Sequence, residues 1–373
     1  MTIEPQTNSA AMQPAPAQGD ALPQSRDFRT SLRPFSYIGL ILAAASLFLL
    51  ILAVGSVPIP VTQILRSLVG LELQNPSWDA ILWELRLPRA VTALCAGAAL
   101  GAAGLLLQTL FRNPLAGPWA LGLIGGAELG VAIVVTAGAV VGSATLAQLG
   151  FLNDIGMAAG AVVGAGAIAL LVASMARYVT TMTLLILGLM LGYLAEGLVS
   201  VVLHFTTEVQ ARVFASWRDG SFGGVTWDQL PILLPALGLG LVFAFVMVKP
   251  LNALLLGERY ASSLGLPVGY VRLATLACAV LLAGPVTAFC GPILFLGIIV
   301  PHMARGLFNT SDHRLLMPAT ALLGAIVALA ADLIVHLPWE RHVLHLNAVN
   351  AVIGAPFVIA ILLRNRNMRA MDF

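Results

Sequence analysis

The sequence predicts an all-α polytopic membrane protein of about ten transmembrane helices. Three observations lead there. Of 373 residues, 59% are hydrophobic and 10% charged, whereas a soluble domain carries about 25% charged residues. The apolar runs are close to the roughly 20 residues that a helix needs to cross a bilayer. They do not alternate polar with apolar positions, as the strands of a transmembrane barrel must.

Taken in order, residues 1–33 are rich in Pro, Gln, Ala and Ser without apolar periodicity, and read as a disordered cytoplasmic tail. The first apolar run starts only near Ser36, too late for a cleaved signal peptide, and reads as a retained span. Spans are expected at about 36–56, 88–110, 118–140, 154–176, 181–206, 229–248, 271–289, 293–308, 315–336 and 350–364. The permease domain thus covers 34–366, with a cytoplasmic coupling segment at 250–270 and a short tail at 367–373. The seventh and eighth spans are parted only around Gly291-Pro292 and are expected as a broken hairpin. With the N-terminus inside, thirteen of the 19 Lys and Arg residues fall on the cytoplasmic side and six outside, which favours both termini in the cytoplasm. Small residues four apart, Gly97/Gly101, Gly160/Gly164 and Gly188/Gly192, are expected to let helix backbones approach closely. Net charge is +2 and gives no sign of a nucleic-acid partner. Cys95, Cys278 and Cys290 lie far apart in apolar stretches, with no CxxC spacing, and read as small buried hydrophobes rather than metal ligands.

Two polar islands interrupt the apolar sequence: Gly257-Glu258-Arg259-Tyr260-Ala261-Ser262-Ser263-Leu264-Gly265-Leu266, and Pro301-His302-Met303-Ala304-Arg305 after Gly291-Pro292. Further stretches are Leu85-Arg86-Leu87-Pro88-Arg89 leading to Gln108, then Arg112-Asn113-Pro114-Leu115-Ala116-Gly117-Pro118, and Trp217 with Gly220-Ser221-Phe222 and Trp227. Ser311-Asp312-His313-Arg314, Ala331-Asp332-Leu333 and Gly354-Ala355-Pro356-Phe357 complete the set. In this order they resemble the permease subunits of bacterial ABC importers for iron–siderophores, haem and cobalamin, over about residues 80–364.

The resemblance implies a set of roles. Gly257, Glu258, Arg259, Ala261, Leu264 and Gly265 would form a coupling helix seated on an ATP-binding subunit. Ala261, Leu264 and Gly265 would be its apolar contact, and Glu258 and Arg259 its polar rim. His302 and Arg305 would support that surface; a proton relay at His302 is the weaker reading, because no acidic partner stands at helical spacing. Arg86 and Arg89 would dock a periplasmic binding protein through its acidic residues, unless they only anchor in headgroups, and Arg341 could substitute for the family's third docking arginine, which this chain lacks. Arg112-Asn113-Pro114 should make a tight inner turn, since the residue before Pro is pushed out of the helical region. Intramembrane carboxylates are expensive and often functional. Glu128 and Glu196 fit no pattern of the family and either line a pathway or tie helices together, while Asp332 pairs with a neighbour.

The chain departs from the family where Val343-Leu344-His345-Leu346-Asn347 replaces a Glu-Leu-Pro-Val-Gly stretch and where His336 stands in place of an arginine. His336, His342 and His345 are not on one helix face throughout and read as an adapted docking surface rather than a metal site. No GxxxxGK[ST] phosphate loop occurs, so ATP and Mg are expected on a partner and the chain is expected to be no enzyme. The implied assembly is two permease subunits, identical or similar, two ATP-binding subunits and a periplasmic binding protein, carrying a metal chelate across the bacterial inner membrane. The rival reading is a proton-coupled secondary transporter using Glu128, Glu196 or Asp332; no convincing inverted repeat supports it.

Overall fold

The computed structural model describes residues 28–71, 73, 75–140, 150–176, 178–337 and 344–369. Every element among them is helical. They are α1 (Phe28–Ala53), α2 (Val61–Leu68), α3 (Pro76–Ala80) running through a π-helical turn (Ile81–Arg86) into α4 (Leu87–Phe111), and a 3₁₀ turn (Pro118–Leu121) before α5 (Leu123–Val140). Next come α6 (Gly150–Met175), α7 (Thr181–His204), α8 (Glu208–Arg218), α9 (Leu230–Val246), α10 (Val248–Leu255) and α11 (Glu258–Ser263). The chain closes with α12 (Val268–Cys290), α13 (Leu296–Phe308), α14 (His313–Val335) and α15 (Leu346–Arg369).

Six of these helices are long and apolar enough to cross a membrane, a bent pair makes a seventh, and three shorter apolar helices bring the apolar segments to the expected ten. The bent pair is α9 and α10, which meet at 48°. Pro250, in the first turn of α10, has no N–H to offer the carbonyl one turn back, so the helix breaks just before it. The eighth expected span is only α13, thirteen residues and ~20 Å long, too short to cross alone. It follows a sharp reversal in which Gly291 and Phe295 take left-handed φ of 73° and 66°, which is the expected broken hairpin. Helix α1 already starts at Phe28, inside the segment expected as tail.

The core is organised on α4, whose most apolar window is 83% buried. It packs against α9, α12, α13 and α14, while α5, α6 and α7 form a second group. Glycine makes both seams. A Cβ on Gly97 would stand 2.3 Å from the Gly324 carbonyl of α14, and one on Gly104 would overlap the Gly297 carbonyl of α13. The α5–α6 seam pairs Gly126 and Gly130 with Gly164 and Gly160, and Gly188 and Gly192 of α7 lie against Ala120 and Gly122. The glycine spacing therefore marks real backbone contacts, as close approach in lipid requires. Cys278 and Cys290 are buried free thiols, and Cys95 is half-buried.

Candidate functional site

One end of the bundle, expected to be the cytoplasmic one, is built around α10 and α11. Gly257, at φ +115°, turns the chain between them, and Gly265, at φ +83°, ends the polar helix; both conformations favour glycine over any L side chain. The six-residue α11 offers Arg259, Tyr260, Ser262, Ser263 and Leu264 to solvent, with Leu264 62% exposed. Two expectations change here. Ala261 is fully buried and is a packing residue rather than a contact surface. Glu258 is not a free rim charge either: its carboxylate meets Arg272 Nη2 at 3.3 Å and accepts from the Thr181 hydroxyl at 2.8 Å. Arg272 in turn donates to the carbonyls of Ala176 and Val179 at 2.9 Å, so α11 is clamped to the starts of α7 and α12. Tyr260, which the sequence reading did not single out, is 53% exposed beside Leu264.

The Arg112-Asn113-Pro114 turn forms as expected. Arg112 caps α4 in a left-handed conformation and donates to the Leu254 carbonyl at 2.7 Å, and Asn113 accepts from the Leu115 N–H at 2.9 Å. His302 contacts the Pro114 carbonyl through Nε2 at 2.8 Å, and Arg305 donates to Gln108 Oε1 at 2.6 Å. Both residues brace this turn and the end of α4; their hydrogen bonds do not reach α11. Nearby, Asp312 caps α14 by accepting from the Arg314 N–H at 2.9 Å, and that bond, with the Asn252 amide, holds its carboxyl below the usual range.

At the opposite end Arg86 departs from expectation. The π-helical turn aims it inward, where it is 4% exposed and donates to the carbonyls of Leu52, Ala53 and Val57 at the end of α1. A guanidinium spent on three carbonyls is neither a docking cation nor a headgroup anchor. Arg89 is also engaged: its Nε lies 3.1 Å from Asp332 Oδ2 with side chains 12% and 2% exposed, an ionic contact without hydrogen-bond alignment. Through Arg89, Asp332 ties α14 to α4, and within α14 His336 Nδ1 lies 2.9 Å from the Asp332 carbonyl and 3.3 Å from its carboxylate. His345 instead faces Asp219 at 3.1 Å, while Arg341 and His342 lie outside the described residues.

Glu128 and Glu196 are brought together by a residue that was not singled out. Arg218, at the end of α8, places Nε 3.0 Å from Glu128 Oε1 and Nη2 3.3 Å from Glu196 Oε1. Helix α8 is fixed at its start by a Thr207/Gln210 capping box and by Gln210 donating to the Val135 carbonyl at 3.1 Å. At its end Asn347 donates to the carbonyls of Arg218 and Pro292 and accepts from the Leu294 N–H. The three charges line a cavity of about 310 Å³ that Trp119 and Tyr193 also border. The available signal was Glu128 itself, since a carboxylate within a span needs a cation.

Comparison with known proteins identifies this helical bundle as a permease subunit of an ABC importer. The chain belongs to the FecCD transport family, whose model matches residues 41–364. It is 35% identical over 293 residues to the "Vitamin B12 import system permease protein BtuC" of Escherichia coli O9:H4 (strain HS), covering 78% of this chain and 86% of that one. The same identity and coverage relate it to the protein of that name from Shigella boydii serotype 18 (strain CDC 3083-94 / BS512). A solved structure described as "An inward-facing conformation of a putative metal-chelate type ABC transporter" is similar with a TM-score of 0.77 and 25% identity, over 89% of this chain and 99% of that one.

Proposed function

We propose that this chain is the membrane path for an iron–siderophore or a related metal chelate entering across the bacterial inner membrane, with both termini cytoplasmic. The relatives' name, vitamin B12 import, and the neighbour's description as a metal-chelate transporter support a large organometallic cargo. Two copies, or this chain and a similar permease, enclose the path. Two separate subunits bind ATP and Mg and supply the energy, and a periplasmic protein delivers the cargo. With Arg86 buried and Arg89 paired, docking of that protein falls to Arg341 together with Arg66 and Arg212, the latter two being exposed. The proton-coupled alternative finds no support among the relatives.

One observation carries the reading: α11 exposes Tyr260 and Leu264 while Glu258 and Arg272 lock its other face to two spans. A short helix held this rigidly passes a push from an attached motor to the helices it is clamped to. A cysteine at Leu264, with a short crosslinker in membranes containing the complete transporter, is expected to capture the nucleotide-hydrolysing subunit. Absence of that adduct, or import by vesicles that keep a proton gradient but lack the ATP-binding subunit, would overturn the proposal.

A further inference from the structure

The Arg218–Glu128–Glu196 cluster has a depth and an exposure that do not fit a structural tie. Glu196 lies fifteen residues along α7, ~22 Å from its inner end, within the ~30 Å hydrocarbon thickness. Its side chain is nevertheless 49% exposed and that of Arg218 51% exposed. Charges open at that depth do not face lipid; they face a water-filled space or another protein subunit. The cavity they line with Trp119 and Tyr193 is the space onto which they open. Its charge is unbalanced, because one guanidinium serves two carboxylates.

We infer that this cluster is a charge-selective contact for the cargo, favouring chelates that carry an ammonium or many N–H and O–H donors and disfavouring those that carry free carboxylates. Glu196, the accessible carboxylate, accepts from the passing cargo. Glu128, 5% exposed, holds Arg218 in place. Trp119 and Tyr193 supply flat apolar contact that does not depend on charge. This rests on the metal-chelate reading above and adds the class of chelate.

The test uses the complete transporter, with its ATP-binding and periplasmic subunits, in proteoliposomes. Uptake is compared for matched cargoes: an iron(III) trihydroxamate in amine, uncharged and carboxylate forms, and a corrinoid in uncharged and monocarboxylate forms. The wild type is expected to prefer amine over uncharged over carboxylate. E196Q is expected to raise the carboxylate-to-uncharged uptake ratio about fivefold, the size of one half-exposed charge contact. R218Q is expected to move the ratio the opposite way. Ratios within one preparation cancel any loss of folded protein. An unchanged ratio in E196Q, or a shift in the same direction in both variants, overturns the charge-selective site while leaving the importer reading intact. ATP-dependent import of none of these cargoes by the wild type overturns the metal-chelate reading and the site with it.

Discussion

Two arginine–carboxylate contacts tie helices of this protein together, and they differ in what surrounds them. Arg89 and Asp332 join α4 to α14 with side chains 12% and 2% exposed. Arg218 joins α8 to α5 and α7, with its own side chain and that of Glu196 about half exposed. The first lies between the same two helices as the Gly97–Gly324 contact, about two turns away. The second opens on a cavity. The same ionic chemistry thus joins helices where it is dry and borders an open cavity where it is wet. Burial decides the difference, because a charge stripped of water depends wholly on its partner while a solvated one does not.

The comparison breaks most sharply at the dry pair. D332N leaves Arg89 buried without a counter-charge and is expected to lose roughly 3–5 kcal/mol, read as a large drop in melting temperature in detergent, whereas an apolar double replacement of Arg89 and Asp332 recovers most of it. G97L attacks the seam beside that pair. Its side chain meets the Gly324 carbonyl and the Ala328 methyl, and a loss of about 1–3 kcal/mol is expected in the same measurement. D312A removes the cap of α14 and should cost about 1 kcal/mol. Because the Asp312 carboxyl is held below its ordinary value, its contribution is present above that value and is lost as the pH falls through the depressed one. Acid titration of melting temperature should therefore be flatter in D312A. The smallest effect on stability belongs to the wet cluster, where E196Q is expected to change melting by less than about 1 kcal/mol. A loss as large as that of D332N would make the cluster structural and erase the contrast.

Much of the fold was legible in the sequence. Lipid demands continuous apolar runs of fixed length, so the ten segments could be marked out, and the pairs Gly97/Gly101, Gly160/Gly164 and Gly188/Gly192 pointed to seams that form. The site was legible only in part. The polar island at 257–266 emerged as a helix of its own, but whether Ala261 or Tyr260 lies outward depends on how α11 is rotated against α12, which spacing alone does not convey. Arg86 looked like an outer cation because it flanks Pro88; the π-helical turn swings it inward onto the carbonyls ending α1. Arg218 and Glu128 are 90 residues apart, and nothing local in the sequence pairs them.

The amino-acid sequence by itself determined the membrane class, the count of apolar segments, the glycine contacts and the short polar helix, because each follows from local composition and helical period. Only the tertiary structure decided which arginines are spent inside and which carboxylates share Arg218. These outcomes depend on contacts between residues far apart in the chain, and the strength of a charge contact is set by the water that the packed helices admit or exclude.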